Sequence, residues 1–193
     1  MTQYKFLKEG LKSSYGDLPA WQVGEWRGAR GRLQLCVNGF HCSETPLAAL
    51  RYVAGEALAI VETRGAELKD TDKSCHAEMR IVRAYRWQKA DSVALAIYSA
   101  ELVLGIFEKK YPADKRPRQA IAAAKRWLKN PTEKNQGVAA VAAVAADAAA
   151  AASYAAADAA ASYAAAYAAA RKELTAKINA WMVRRIGKLE EIK

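Results

Sequence analysis

The chain has 193 residues, of which 52% are hydrophobic, so one sizeable domain or two small ones can bury a core without disulfides. Its three cysteines fit no disulfide framework, and the first residues, MTQYKFLKEG, lack the apolar run of a signal peptide. These features exclude a disulfide-stapled secreted protein and predict a cytoplasmic one.

Residues 1–88 are predicted to form a small α+β module. Short apolar runs such as RLQLCV, EALAIVETRG and EMRIVRAY are broken by glycine and charge, and several alternate with period two, which is typical of strands. Between them SETPLAALRYV predicts a short helix, because Thr45 is a capping residue type and Pro46 suits the first helical position.

Residues 89–193 are predicted to form an all-α, alanine-rich helical bundle. A first helix opens at Asp91 or Ser92, the segment PADKRP predicts a turn, and a second helix runs to about Lys129. The predicted buried positions are Leu95, Tyr98, Leu102 and Ile106 in the first helix, Ile121, Ala124 and Leu128 in the second, and Leu174, Ile178, Trp181, Met182 and Ile186 in the last.

The net charge is +10, and its densest cluster lies between residues 109 and 129. The cations of this segment, which we predict to bind a partner, are Lys109, Lys110, Lys115, Arg116, Arg118, Lys125, Arg126 and Lys129. Asp114 is the only acidic residue in this segment, so its cations suit an acidic or phosphate-bearing surface. The alternative is that they bind no partner and only form a solvated loop and the outer face of a helix. Nucleic-acid binding is less favoured, because the segment lacks the interleaved aromatics of single-strand binders.

Residues 138–171 are mostly alanine, the rest are almost all Val, Asp, Ser or Tyr, and the segment has no glycine or proline. Alanine has the highest helix propensity, so this segment is predicted to be helical. We reject a membrane span, because alanine is only weakly apolar and Asp158 would lie in its middle. Since an unbroken helix to Ile186 would be roughly 73 Å long, the sequence predicts a break near residues 148–153 or at Asp158.

Cys36, His41, Cys42, Cys75 and His76 are the residue types that bind zinc, but their spacing is not that of a zinc site. Two of the pairs are adjacent in sequence, and neighbours on a strand point to opposite faces of the sheet. The chain also contains no P-loop, HExxH or GxSxG motif. The sequence therefore predicts neither a metal nor a cofactor.

The block LCVNGFHCSETPLAALRY and the following ALAIVETRG resemble a phage- and prophage-associated domain of unknown function, over residues 1–86. The matching residues are Cys36, Gly39, Phe40, His41, Pro46, Leu47, Tyr52, Val61, Glu62 and Gly65. More loosely, the order of strands and helix is similar to that of ADP-ribosyltransferases. This second resemblance implies a nicotinamide pocket lined by His41 and Tyr52, with Glu78 as the catalytic carboxylate.

The segment SAELVLGIFEKKYPADKRPRQAIAAAKRWL, followed by an alanine-rich tail, resembles immunity proteins of bacterial toxin systems. The matching residues are Ala100, Glu101, Val103, Leu104, Phe107, Glu108, Pro112, Asp114, Arg116, Pro117, Arg118, Ala120, Ile121 and Trp127. The resemblance implies that the protein neutralises a toxin or a host defence component by direct binding. Alternatively, Asp114, Pro117 and a Glu108–Arg118 ion pair only fix the turn between two helices.

Together these observations predict a non-catalytic, cytoplasmic interaction protein carried by a phage or prophage. Its predicted partner is a protein, acidic or associated with nucleic acid, and no membrane is involved. Arg116 and Arg118 are the predicted anchor, because arginine makes bidentate contacts with carboxylates and is enriched in interface hot spots. The alternatives are an ADP-ribosyltransferase-like enzyme and a nucleic-acid-binding protein.

Overall fold

The computed structural model describes residues 2–16, 18–53, 55–132 and 164–192. Strands dominate its N-terminal part and helices follow, which confirms the predicted α+β class. By its contacts the chain divides into two compact units, one made of Met1–Gln88 with Asn179–Lys193 and the other of Lys89–Ile178. Residues 179–193, which the sequence placed in the helical region, thus lie in the unit of the sheet.

The first unit is built on a six-stranded sheet. Its strands are β1 (Gln3–Leu7), β2 (Trp26–Gly28), β3 (Phe40–Cys42), β4 (Ala57–Lys69), β5 (Ser74–Arg86) and β6 (Glu191–Ile192). β4 and β5 form a long antiparallel hairpin, and β1 pairs with the other edge of β4. The second edge of β5 is shared by three short strands, β3, β2 and β6, which follow one another along its length.

The buried core of this unit lies on the sheet and under its loops. It consists of Leu7, Leu11, Trp21, Phe40, Cys42, Ala57, Ala59, Val61, Met79, Ile81 and Ala84. The predicted helix is confirmed as α1 (Pro46–Tyr52), and the hydroxyl of Thr45 accepts a hydrogen bond from the backbone N–H of Ala48 at 3.3 Å. That contact satisfies a donor that the first turn of a helix otherwise leaves free.

The run RLQLCV does not form a strand, contrary to the prediction. Gln34 donates its backbone N–H to the carbonyl of Asn38, and Cys36 adopts a left-handed φ of 64°. The side-chain amide of Asn38 donates to the carbonyls of Arg30 and Arg32 at 2.8 and 2.9 Å. The alternating pattern is therefore overridden by a turn that an asparagine side chain stabilises.

The second unit contains α2 (Lys89–Lys110) and α3 (Arg116–Lys129), both predicted. They pack through a small apolar core of Ile97, Ala100, Leu104, Ile121 and Ala124. The predicted buried face of α2 is partly wrong, because Ile106 is 57% exposed and Ile97 and Leu104 take its place. The row at 97, 100 and 104 has the spacing of three and four residues that forms one helix face.

α2 is long and apolar enough to cross a membrane, with a mean hydropathy of 1.6 over its best 18-residue window. That result rests on length and composition alone, and core helices of water-soluble domains pass the same test. In this structure Ile97, Ala100 and Leu104 of the helix pack against α3.

The described end of the alanine-rich segment belongs to α4 (Ala164–Ile186). Of its predicted core residues, Met182 and Ile186 are buried, whereas Leu174, Ile178 and Trp181 are half-buried. Most of the predicted alanine helix, including both sites of its predicted break, lies outside the described residues.

Candidate functional site

The turn between α2 and α3 is held by Asp114. This residue was predicted to cap the second helix, but Lys115 occupies the N-cap position of α3 and Asp114 precedes it. One carboxylate oxygen accepts the backbone N–H of Arg116 at 3.0 Å. The guanidinium of Arg116 donates to the same carboxylate from Nε, at 3.0 Å, and from Nη2, at 2.6 Å. The arginine side chain is nevertheless 87% exposed, so it is fixed in position and open to a partner.

Two further cations of α3 pair with carboxylates of α2. Arg118 donates from Nε and Nη2 to the two oxygens of Glu108, at 2.7 and 2.6 Å. Lys125 lies 2.5 Å from Glu101. The two glutamates are seven positions apart on α2, and their partners are seven positions apart on α3, a spacing close to two helical turns. Because the two helices run antiparallel, both ion pairs can form at once. The predicted Glu108–Arg118 pair is thus present, beside a second pair with the same role.

The other predicted partner-binding cations are Lys109, Lys110, Lys115, Arg126 and Lys129, all of which are exposed. Lys109 and Lys110 end α2, and Lys115 directly precedes α3. Lys129 follows Lys125 by one helical turn and continues its face of α3. All eight residues therefore belong to one helical hairpin, α2–α3, and their role in partner binding stays a prediction.

The Asp114 contacts predict a stability change at acidic pH. Hydrogen bonds from Arg116 lower the pKa of the Asp114 carboxyl from 3.8 to about 2. A carboxyl with a depressed folded-state pKa stabilises the fold above its unfolded pKa and loses that effect as pH falls through the folded value. We expect the parent protein to lose more melting temperature between about pH 4 and pH 2 than Asp114→Asn does. Melting curves that shift in parallel would contradict this assignment.

The residues suggested by the ADP-ribosyltransferase resemblance fall in two places. His41 and Tyr52 line the same cavity of the first unit. Glu78 is not among the described residues that line this cavity. Its carboxylate accepts hydrogen bonds from Nε and Nη2 of Arg64, at 2.8 and 2.6 Å, on the face of the sheet. The structure therefore places His41 and Tyr52 at one cavity and Glu78 outside its described lining.

The cysteines and histidines do not come together as one metal site. His41 Nε2 accepts the backbone N–H of Cys36 at 2.9 Å, and His76 Nε2 lies 2.7 Å from the hydroxyl of Ser74. Burial raises the pKa of the Cys42 thiol to about 11, which keeps it protonated. Among the described residues no group of three or more His, Cys, Asp or Glu side chains is arranged to hold a metal ion.

The cavity contains two lysines that sequence reasoning missed. Lys5 lies on β1, Lys73 directly precedes β5, and both line the cavity with His41. Strand periodicity carried a weak signal for Lys5, since YKFLK places this lysine between the buried Tyr4 and Phe6 in an otherwise core-forming strand. The residues around Lys73 carried no such signal, because a charged hairpin turn is ordinary.

Family comparisons divide the chain near the same point as its contacts. Residues 1–92 match a family described as a domain of unknown function, DUF7666. Residues 86–177 match the family described as Imm-5 like putative immunity protein. No curated protein and no solved structure matches the chain. Both resemblances expected from the sequence are confirmed, and the chain joins a DUF7666-like region to a region similar to the Imm-5 like immunity proteins.

Proposed function

We propose that this protein confers immunity by binding a toxin directly, with the α2–α3 hairpin as its contact surface. The match of residues 86–177 to an immunity family supports both the immunity role and a protein partner such as a toxin. The whole hairpin lies inside that match, and it holds every cation predicted to bind a partner.

We choose this surface because of the geometry of Arg116 and Arg118. Each uses Nε and Nη2 for a carboxylate of its own chain, while most of the side chain stays exposed. A guanidinium has five N–H donors, so the Nη1 edge is left for a partner carboxylate. Because these side chains are already ordered, less rotamer entropy is lost on binding than for a free arginine.

The charge of the hairpin favours an acidic partner. Within the described residues, Lys109, Lys115, Arg126 and Lys129 form no ion pair with this chain. Such surplus positive charge raises the rate of encounter with an acidic surface and disfavours basic ones. We therefore propose a toxin whose contact surface is acidic or mimics the charge of a nucleic acid.

Phage or prophage carriage, action against a host defence component and a cytoplasmic location are further parts of the proposal. Carriage by a phage or prophage is supported by the resemblance of residues 1–86 to a phage-associated domain of unknown function. Free thiols at Cys36, Cys42 and Cys75 suit a reducing compartment. The enzymatic alternative is weakened because Glu78 does not line the cavity that contains His41 and Tyr52.

A co-expression experiment tests the immunity role. Toxin genes found beside the gene for this protein are induced in bacteria with and without it, and growth is recorded. We expect one of them to be neutralised, and the purified pair to form a stable complex. Growth arrest in every combination, with no complex formed, would reject the proposal.

The lysines of α3 are expected to act on the rate of association. Lys129→Glu should slow binding to the neutralised toxin several-fold at low salt, with an almost unchanged dissociation rate, because rim charges steer encounter. Surface plasmon resonance at two salt concentrations measures both rates. Lys69→Glu changes the net charge equally on the sheet of the first unit and serves as the control. An effect as large from Lys69→Glu would show that only net charge matters.

A further inference from the structure

The first unit contains a cavity of about 920 Å³ with an unbalanced charge. Its charged lining residues are Lys5, Arg30 and Lys73, and no carboxylate is among the described residues that line it. This volume lies in the range of small-molecule sites. The described lining, with three cations and no carboxylate, is electrostatically suited to an anion.

Lys5 contributes most to this imbalance. Its ammonium donates to the backbone carbonyl of His41 at 2.8 Å, and it forms no ion pair among the described residues. A carbonyl carries no charge, so the ammonium is solvated by one dipole instead of a counter-ion. Desolvation by the surrounding protein lowers the pKa of Lys5, as expected for a cation withdrawn from water without a partner.

Lys73 supplies the second cation from the turn that precedes β5. Its ammonium lies 3.1 Å from the sulfur of Cys36, 4.3 Å from the centre of the Tyr52 ring and 3.8 Å from a carboxylate oxygen of Asp70. Burial and then the charges of Lys5 and Lys73 lower the pKa of His41. The two ammonium groups therefore act on the same region of the cavity.

The lining also contains several aromatic side chains. The rings of Trp21 and Phe40 meet edge to face with centroids 5.2 Å apart, and tyrosines flank them. The lining tyrosines are Tyr4, Tyr15 and Tyr52. Ser14 also belongs to the lining, and its buried hydroxyl has no hydrogen-bond partner in the described structure. Aromatic walls and a few polar atoms are typical of sites for flat organic ligands.

We propose that this cavity binds a small organic anion, a flat apolar ring that carries a phosphate, carboxylate or sulfonate group. The aromatic side chains hold the ring, and Lys5 and Lys73 hold the anionic group. The site lies in the first unit and does not depend on toxin binding by the α2–α3 hairpin, so each can fail without the other.

Fluorescence titration with anilinonaphthalene sulfonate tests the proposal, because this probe joins a flat naphthalene ring to a sulfonate. We expect one saturable site per chain in the parent protein. Lys5→Met should weaken binding of the sulfonate about tenfold or more, since a charge-assisted contact is lost. Binding of phenylnaphthylamine, its uncharged counterpart, should change less than about twofold in the same variant.

Lys69→Met is the matched control, because Lys69 is an exposed lysine of β4 that does not line the cavity. It should bind both probes as the parent does. Near-ultraviolet circular dichroism checks that Lys5→Met keeps its packing, since this dye also binds loosened proteins. If that packing is lost, Lys73→Met is used and should selectively weaken sulfonate binding. Equal sulfonate affinity in parent and variant, an equal loss for the neutral probe, or no binding by the parent would each overturn the proposal.

Discussion

Gly39→Ala is expected to lower the free energy of unfolding by roughly 2–6 kcal/mol. Gly39 has a φ of +120°, a region that side chains rarely adopt, and an added Cβ would lie 2.4 Å from the sulfur of Cys75 and 2.9 Å from Cδ2 of Leu33. Backbone strain and overpacking therefore act together at this position. Urea unfolding followed by circular dichroism measures the change.

Gly31→Ala separates the two causes. Gly31 also has a positive φ, of +80°, but an added Cβ would meet no atom within 4 Å. This variant should lose only about 1–2 kcal/mol, the cost of the left-handed backbone. Adding Cys75→Ala to Gly39→Ala should restore part of the loss, because it removes the nearest clashing atom. Equal losses in the two glycine variants would show that packing against Cys75 contributes nothing.

Arg116→Glu with Arg118→Glu should weaken binding of the neutralised toxin by more than about 2 kcal/mol, or roughly 30-fold. The reversal removes two fixed guanidinium groups and places carboxylates where an acidic partner must approach. Titration calorimetry with the purified toxin measures the affinity. The same reversal also removes the contacts of Arg116 with Asp114 and of Arg118 with Glu108, and it sets two carboxylates side by side in each place, so folding must be tested separately.

The charge swap Glu108→Arg with Arg118→Glu makes that distinction. It rebuilds the ion pair between α2 and α3 with its ends exchanged, so thermal stability should stay near that of the parent. Toxin affinity should still fall, because the cation has moved from α3 to α2. If the charge swap and the double reversal both bind the toxin with the affinity of the parent, Arg116 and Arg118 only stabilise the helical hairpin and the contact surface lies elsewhere.

The hairpin was largely predictable, because its determinants are local in sequence. Asp114 and the prolines on either side of it mark the turn, and the hydrogen bond from Arg116 to Asp114 spans two residues. The pair between Glu108 and Arg118 spans ten residues across that turn, so charge spacing already suggested it. The buried face of α2 was harder to predict, since nearly all its surface is apolar and only packing on α3 selects Ile97 and Leu104 over Ile106.

The cavity could not be predicted in the same way. Lys5 and Lys73 are far apart in sequence, and they come together through β3, which lies between them and pairs with β5. The turn around Cys36 depends on amide contacts of Asn38 that no periodicity reveals. The hydrophobic pattern of one strand indicates which of its residues are buried. Which polar residues of different strands come together depends on how the strands pair.

The C-terminal segment has a consequence for synthesis on the ribosome. β6 pairs with Ala84 and Tyr85 of β5, Asn179 accepts the backbone N–H of Leu47, and Met182 is fully buried within the unit of the sheet. These contacts come from residues translated roughly a hundred positions after β5. A nascent chain that has emerged only to Gln88 therefore exposes part of the β5 edge, and the whole helical unit emerges before that edge is covered. Completion of the N-terminal fold therefore waits until residues 179–192 have been translated, although nearly all of its sheet precedes the helical unit in the chain.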